Sequence, residues 1–258
     1  MGKIIVITGA KGGCGKTTLA AALGWALAEM GKSICLCDLC LGQRGLDLAL
    51  GLENKVVFDL SDLACEDCTM EQALVGASIS NLSMIAAPAV SIGQEVGEKL
   101  LQKALPRLQK RFDYLVLDTP GAFDSLTQTA CKMADDVVLV TVPGNAAARN
   151  TERASALLHD LTQAPLHLLM NCLDKKQIAA GRVPAPEAQA AYLDVPLIGN
   201  ISLHEALYEA SLARRLPGEY PERIRKEVFD TARRLCGEDI PLKPCVVRRF
   251  PWHSFANN

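Results

Sequence analysis

A three-layer α/β fold, with a mostly parallel central sheet flanked by helices, is predicted by three features of the sequence. Short apolar runs recur at roughly 3–8, 33–37, 82–86, 114–117, 136–141, 166–170 and 196–199. Most are separated by stretches long enough for a crossover helix, as parallel strands require. A glycine-rich stretch follows the first run directly, at the place where open α/β sheets collect their ligands. An apolar share of 49% over 258 residues supports one sizeable core rather than two domains. The expected organisation is a single domain over 1–240 and a distinct tail over 241–258.

The first run, Lys3-Ile4-Ile5-Val6-Ile7-Thr8, is continuously apolar and reads as a strand covered on both faces. Thr17-Thr18-Leu19-Ala20-Ala21-Ala22-Leu23 opens a helix expected over 16–30. Further crossover helices are expected over 94–110, 124–132, 145–161 and 221–236. In the last, Ile224, Val228, Ala232 and Leu235 recur at spacings of three and four and should pack one face on the domain.

Residues 9–18 read Gly-Ala-Lys-Gly-Gly-Cys-Gly-Lys-Thr-Thr, a phosphate-cradling loop set between a strand and a helix. The chain is therefore expected to be a P-loop NTPase with a nucleotide as ligand. Backbone N–H groups across Gly12, Gly13, Cys14 and Gly15 can turn toward phosphates, and Thr18 completes the binding stretch. Lys16 is placed to reach the terminal phosphates, while the Thr17 hydroxyl is offered to magnesium. Asp118 ends the strand Tyr114-Leu115-Val116-Leu117 and precedes Thr119-Pro120-Gly121, so its carboxylate is expected beside the magnesium shell. Asp38 follows Ser33-Ile34-Cys35-Leu36-Cys37 and is read either as a catalytic residue orienting water or touching that shell, or as a turn cap. Lys11 is an additional cation in a loop that already has its phosphate lysine. A positive group set against developing charge accelerates phosphoryl transfer, and a second subunit can supply it.

With these residues in place, the chain resembles the deviant-Walker-A (ParA/MinD-type) P-loop ATPases, and most closely their Min-type branch. The resemblance rests on the loop from Gly9 to Thr18, on Asp38, and on Asp47-Leu48-Ala49-Leu50-Gly51-Leu52-Glu53-Asn54. It continues through Val57-Phe58-Asp59-Leu60, Glu71-Gln72-Ala73-Leu74, Asp118-Thr119-Pro120-Gly121 and Leu197-Ile198-Gly199-Asn200-Ile201. It implies an ATP-dependent homodimer using ATP/ADP and Mg²⁺, in which Lys11 crosses to the partner's phosphates. Asn171 would contact adenine. It also implies a slow ATPase that regulates division-septum placement, with a division-inhibitor protein and an ATPase-stimulating protein as partners. Peripheral, reversible attachment to an anionic membrane through the C-terminal tail belongs to the same expectation, which puts the protein in the cytoplasm and at the inner face of the cell membrane. Four positions depart from the pattern: Ala10 replaces a glycine, Cys40 replaces a second aspartate after Asp38, and Gly144 and Asn150 replace acidic residues near the dimer and partner surfaces.

A net charge of -2 provides no general field for nucleic acid. No apolar run approaches the length of a membrane span. The ten cysteines do not read as a disulfide framework in a reducing cytosol. Cys35, Cys37 and Cys40 lie close together and Cys65-Glu66-Asp67-Cys68 is a C-x-x-C pair, so a thiolate metal site is the alternative to small buried hydrophobes. The tail stretch Val246-Val247-Arg248-Arg249-Phe250-Pro251-Trp252 combines apolar anchors with two cations, suited either to a membrane interface or to a surface-packed tail. The competing functional readings are a non-hydrolysing ATP-gated scaffold, a DNA- or assembly-positioning ATPase, and a metallocentre-maturation ATPase.

Overall fold

The computed structural model describes residues 1–90, 93–205, 207 and 215–243. The tail stretch 246–252 lies outside the described residues. Strands β1 (Lys3–Thr8), β2 (Ile34–Asp38), β3 (Val75–Gly76), β4 (Leu82–Ile85), β5 (Tyr114–Asp118), β6 (Asp136–Thr141), β7 (Leu166–Leu173) and β8 (Leu197–Ser202) form one sheet. Its order is β3-β4-β2-β5-β1-β6-β7-β8. All neighbours run parallel except β3 and β4. The two-residue β3 is an edge that no apolar run announced, and β8 extends to Ser202 beyond the expected 196–199.

The sheet is buried on both sides because its strands send alternate residues to opposite layers. In β1, Ile5 and Ile7 join one core while Ile4 and Val6 join the other. The first core is closed by α1 (Lys16–Glu29), whose apolar residues are buried almost throughout. The helix expected over 221–236, observed as Glu222–Leu235, lies beside α1 with Ile224, Val228, Ala232 and Leu235 buried as the spacing required. Helices over 94–108, 125–132 and 145–161 form the opposite layer, close to their expected limits.

Among the described residues, the α-helices in chain order are α1, α2 (Leu46–Ala49), α3 (Leu60–Cys65), α4 (Met70–Ala73), α5 (Gln94–Leu108), α6 (Ser125–Lys132), α7 (Asn145–Leu161), α8 (Lys175–Ala179), α9 (Pro186–Leu193) and α10 (Glu222–Leu235). The short α3 and α4 stand on capping boxes. Asp59 accepts from the Ser61 and Asp62 amides while Asp62 accepts from Asp59, and Thr69 and Gln72 exchange the same pair of bonds.

Cys35 and Cys37 face the second core with their sulfurs 3.9 Å apart, both buried among apolar side chains. Cys40 is separated from them because β2 ends at Asp38 and the chain turns away. The grouping of Cys35, Cys37 and Cys40 as one thiolate site is therefore corrected. Cys65 is exposed and Cys68 buried, and neither belongs to the three-residue group of potential metal ligands found among the described residues.

Candidate functional site

The loop after β1 sits at the centre of the sheet, over the carboxyl ends of the strands. Gly13 and Gly15 adopt φ values of 79° and 90°, a region open to glycine at little cost. At Gly15 a side chain is excluded twice, since a Cβ there would also lie 2.4 Å from the Asn171 amide nitrogen. Ala10, the departure at the loop's start, is not among the positive-φ residues, so its methyl group carries no backbone strain. Gly121 approaches from the opposite side, where a Cβ would lie 2.7 Å from the Gly12 Cα. The Asp118-Thr119-Pro120-Gly121 segment thus rests directly on the phosphate loop, pinned by the Thr119 hydroxyl donating to the Ile7 carbonyl at 3.0 Å.

Lys16 is buried, and its Nζ donates to the Lys11 carbonyl across the loop at 3.3 Å. The cation therefore already lies over the loop's hollow. Thr17 and Thr18 are half-buried on the first turn of α1, and Lys11 is exposed on the outer rim. Beside that rim, Lys11, Gly12, Ala147 and Asn150 border a small crevice. It joins the extra lysine to one of the positions at which the acidic pattern is lost.

Asn171 lies in β7 just past Met170, the last residue of that strand paired with β6. Its Nδ2 donates to the Cys14 carbonyl at 2.9 Å and its Oδ1 accepts from the Cys172 amide at 2.8 Å. Both ends of the amide are thereby engaged, Nδ2 in holding the loop and Oδ1 on its own neighbouring backbone, a positioning role that the expected adenine contact did not include.

Asp38 is buried and spends its carboxylate on the following loop. Oδ1 accepts from the Cys40 amide at 2.8 Å, and Oδ2 accepts from the Gly45 and Leu46 amides at 3.0 and 3.1 Å. This is the capping arrangement. Burial raises its carboxyl above the usual range, against the three amide bonds that lower it.

The β2–β5 register sets Asp38 opposite Asp118. Asp118 is fully buried, and its Oδ1 has no hydrogen-bond partner among the described residues. Burial pushes its carboxyl up to about 7; the Thr17 hydroxyl lowers it, the Asp38 charge raises it, and Lys16 lowers it. Cys40 Sγ lies 3.9 Å from Asp118 Oδ2. Burial first, then the two carboxylates, drive the Cys40 thiol far above its usual range and keep it protonated. Thr17, Asp38 and Asp118 offer hard oxygen donors, with one carboxylate oxygen orphaned in the interior. That donor set fits magnesium.

Thr17 and Cys40, in front of these carboxylates, line a cavity of about 520 Å³, within the range that holds a small ligand. Its polar end is made by Gly13, Lys16, Thr17 and Asn171, and its apolar end by Leu207, Tyr220 and Ile224. A phosphorylated head and a flat apolar base fit these two ends. Cys172 and Tyr220 also line it and were not anticipated. The one available signal was the Leu197-Ile198-Gly199-Asn200-Ile201 motif, which leads straight into the cavity wall at Ile201.

A profile of the AAA domain matches residues 2–170. The septum site-determining protein MinD of Synechocystis is 32% identical over 245 residues, covering 94% of this chain and 92% of that protein. The structure resembles MinD in the MinC:MinD cell division protein complex of Aquifex aeolicus, with a TM-score of 0.81 and 32% identity over 93% of this chain and 98% of that one. It also resembles MinD complexed with Mg-ADP from Pyrococcus horikoshii, with a TM-score of 0.78 and 25% identity over 91% of this chain and 96% of that one. Matched over nearly its whole length by MinD proteins in sequence and by MinD structures in fold, the chain belongs to the MinD family of P-loop ATPases.

Proposed function

We propose that this protein is an ATP-dependent regulator of division-septum placement, binding Mg-ATP in the central cavity, dimerising on it and hydrolysing it slowly. The observation that carries this reading is the convergence of Lys16 and Thr17 on one phosphate-sized hollow, with the buried Asp118 carboxylate bonded to Thr17 behind it and one of its oxygens unpartnered. Lys16 holds the terminal phosphates and Gly12 to Thr18 wrap them, while Asn171 fixes the loop from behind. Thr17 and Asp118 hold the magnesium side, where the bound cation neutralises phosphate charge. Asp38 holds the segment between Cys40 and Leu46 against this end of the cavity.

The exposed rim position of Lys11 supports a role across a homodimer, reaching the partner's nucleotide. A division-inhibitor protein is the proposed partner, supported by the complex in which the Aquifex relative is found. An ATPase-stimulating protein is the second proposed partner. No helix among the described residues is long and apolar enough to cross a membrane. Peripheral attachment at the inner face of the cell membrane is proposed through the tail, whose sequence combines apolar anchors with two cations, strengthened when two copies act together.

Cys40 favours one second reading, a gated scaffold whose hydrolysis is negligible, because a protonated thiol supplies neither charge nor a hard oxygen. Replacing the gene in its host by a Lys16→Ala allele tests the main proposal. Misplaced septa, with the variant protein stable and spread evenly through the cell, are expected. Normal septum positions in that strain contradict it.

A further inference from the structure

Two carboxylates and a thiol meet behind the cavity wall that Cys40 lines: Asp38, Cys40 and Asp118 place one donor atom each within 4.8 Å of one another. They are held there by backbone structure. Asp38 and Asp118 are register partners in adjacent strands, and Cys40 is tied to Asp38 through its own amide. Asp118 is fully buried with Oδ1 unpartnered, so the cluster contains an acceptor with nothing to accept. A carboxylate has about four lone-pair sites. Asp38 uses three of them on amides, one on Oδ1 and two on Oδ2, which leaves an Oδ1 lone pair free.

Magnesium has little affinity for sulfur, whereas zinc is borderline soft and accepts thiolate and carboxylate together in four-coordinate sites. We infer that the nucleotide-free protein binds one zinc-class divalent cation through Asp118, Cys40 Sγ and Asp38, with water as the fourth ligand. On binding, the Cys40 S–H bond breaks, a metal–sulfur bond forms, and the proton passes to the buffer. No electron is transferred. Donor atoms settle about 2.0–2.3 Å from the ion, so the three groups draw together around it. A cation held there occupies Asp118 and stands against the proposed seating of Mg-ATP. Zinc thereby sets the protein aside from the nucleotide cycle.

The test uses the full-length, reduced, nucleotide-free protein titrated with Co²⁺, which reports thiolate ligation by a charge-transfer band in the near ultraviolet. One equivalent should develop that band, and added Zn²⁺ should bleach it. Cys40→Ser should remove the band and weaken cobalt binding by more than about tenfold, as expected on losing a direct ligand. Cys65→Ser/Cys68→Ser should keep it. If Cys40→Ser proves unfolded by circular dichroism, the wild type decides the matter: zinc should protect Cys40 from alkylation, as mapped by mass spectrometry. Absence of a band, a band that survives in folded Cys40→Ser, loss of the band in Cys65→Ser/Cys68→Ser, or Cys40 unprotected by zinc overturns the inference. Because no nucleotide is present, such a failure leaves the Mg-ATP reading intact; failed Mg-ATP binding in metal-free buffer sinks only that reading.

Discussion

Cys40 stands where the family pattern has an aspartate, and its environment explains both why a thiol is tolerated and what restoring the carboxylate should do. The sulfur is buried beside Asp118 and Asp38. A third carboxylate in that space costs stability in the empty protein through desolvation and like-charge repulsion. With Mg-ATP bound, the same charge contributes to a preorganised phosphate site, where such terms reach several kcal/mol. Cys40→Asp is therefore expected to lower the nucleotide-free melting temperature and to raise Mg-ATP turnover by about tenfold or more. Melting and steady-state hydrolysis measured on one preparation check this; unchanged turnover in a folded variant points to a missing partner protein.

Asp118 gives the residue-scale prediction for pH. Its carboxyl is raised to about 7 by burial, whereas the unfolded chain titrates near ~3.9. Between these values the native state holds a proton that the unfolded state has released. Stability therefore falls as pH rises through that window, by on the order of a few kcal/mol from this group. Thermal melts of the nucleotide-free protein from about pH 5 to 8 should show the decline, and Asp118→Asn should flatten it. Lys16, Thr17 and Asp118 were legible in the sequence because loop spacing and strand ends announce them. The contact of Cys40 with Asp118 was not, since the two are 78 residues apart and meet through the pairing of β2 with β5.

At the scale of elements, the phosphate loop depends on two neighbours that close on it from either side, Asn171 within β7 and Gly121 after β5. Gly121→Ala places a methyl group against the Gly12 backbone, and backbone cannot swing aside as a side chain can. The loop must shift, and a misplaced cradle loses hydrogen bonds to charged phosphates worth about 1.5–3 kcal/mol each. A rise of at least tenfold in the Mg-ATP dissociation constant, with the fold retained, is expected by calorimetry. Wild-type affinity in this variant contradicts the close packing described.

The main strands and helices α1, α5, α6, α7 and α10 were legible because each carries a period or a continuous apolar stretch. Helices α2, α3, α4 and α8 are four to six residues long, too short for any period to register, and the two residues of β3 were equally silent. Yet α3 and α4 carried readable capping signals in Asp59-Leu60-Ser61-Asp62 and Thr69-Met70-Glu71-Gln72. The eight-residue α9, with proline in its first turn, was also within reach of such reasoning.

For the whole molecule, the proposed function has nucleotide converting a single three-layer domain into a paired one through Lys11, exposed on the loop's rim. Exposed Lys11 and buried Lys16 occupy the same loop but face different duties. Lys16→Ala removes the internal cation and should weaken Mg-ATP binding by about tenfold or more. Lys11→Ala should leave most of that affinity in place while abolishing self-association. Light scattering on size-separated protein with Mg-ATP and with Mg-ADP, paired with calorimetry on the same samples, tests this most directly. The account predicts a wild-type dimer with Mg-ATP alone and a Lys11→Ala monomer that still binds Mg-ATP. A Lys11→Ala dimer as strong as wild type, or a wild type that stays monomeric when saturated with Mg-ATP, would contradict it.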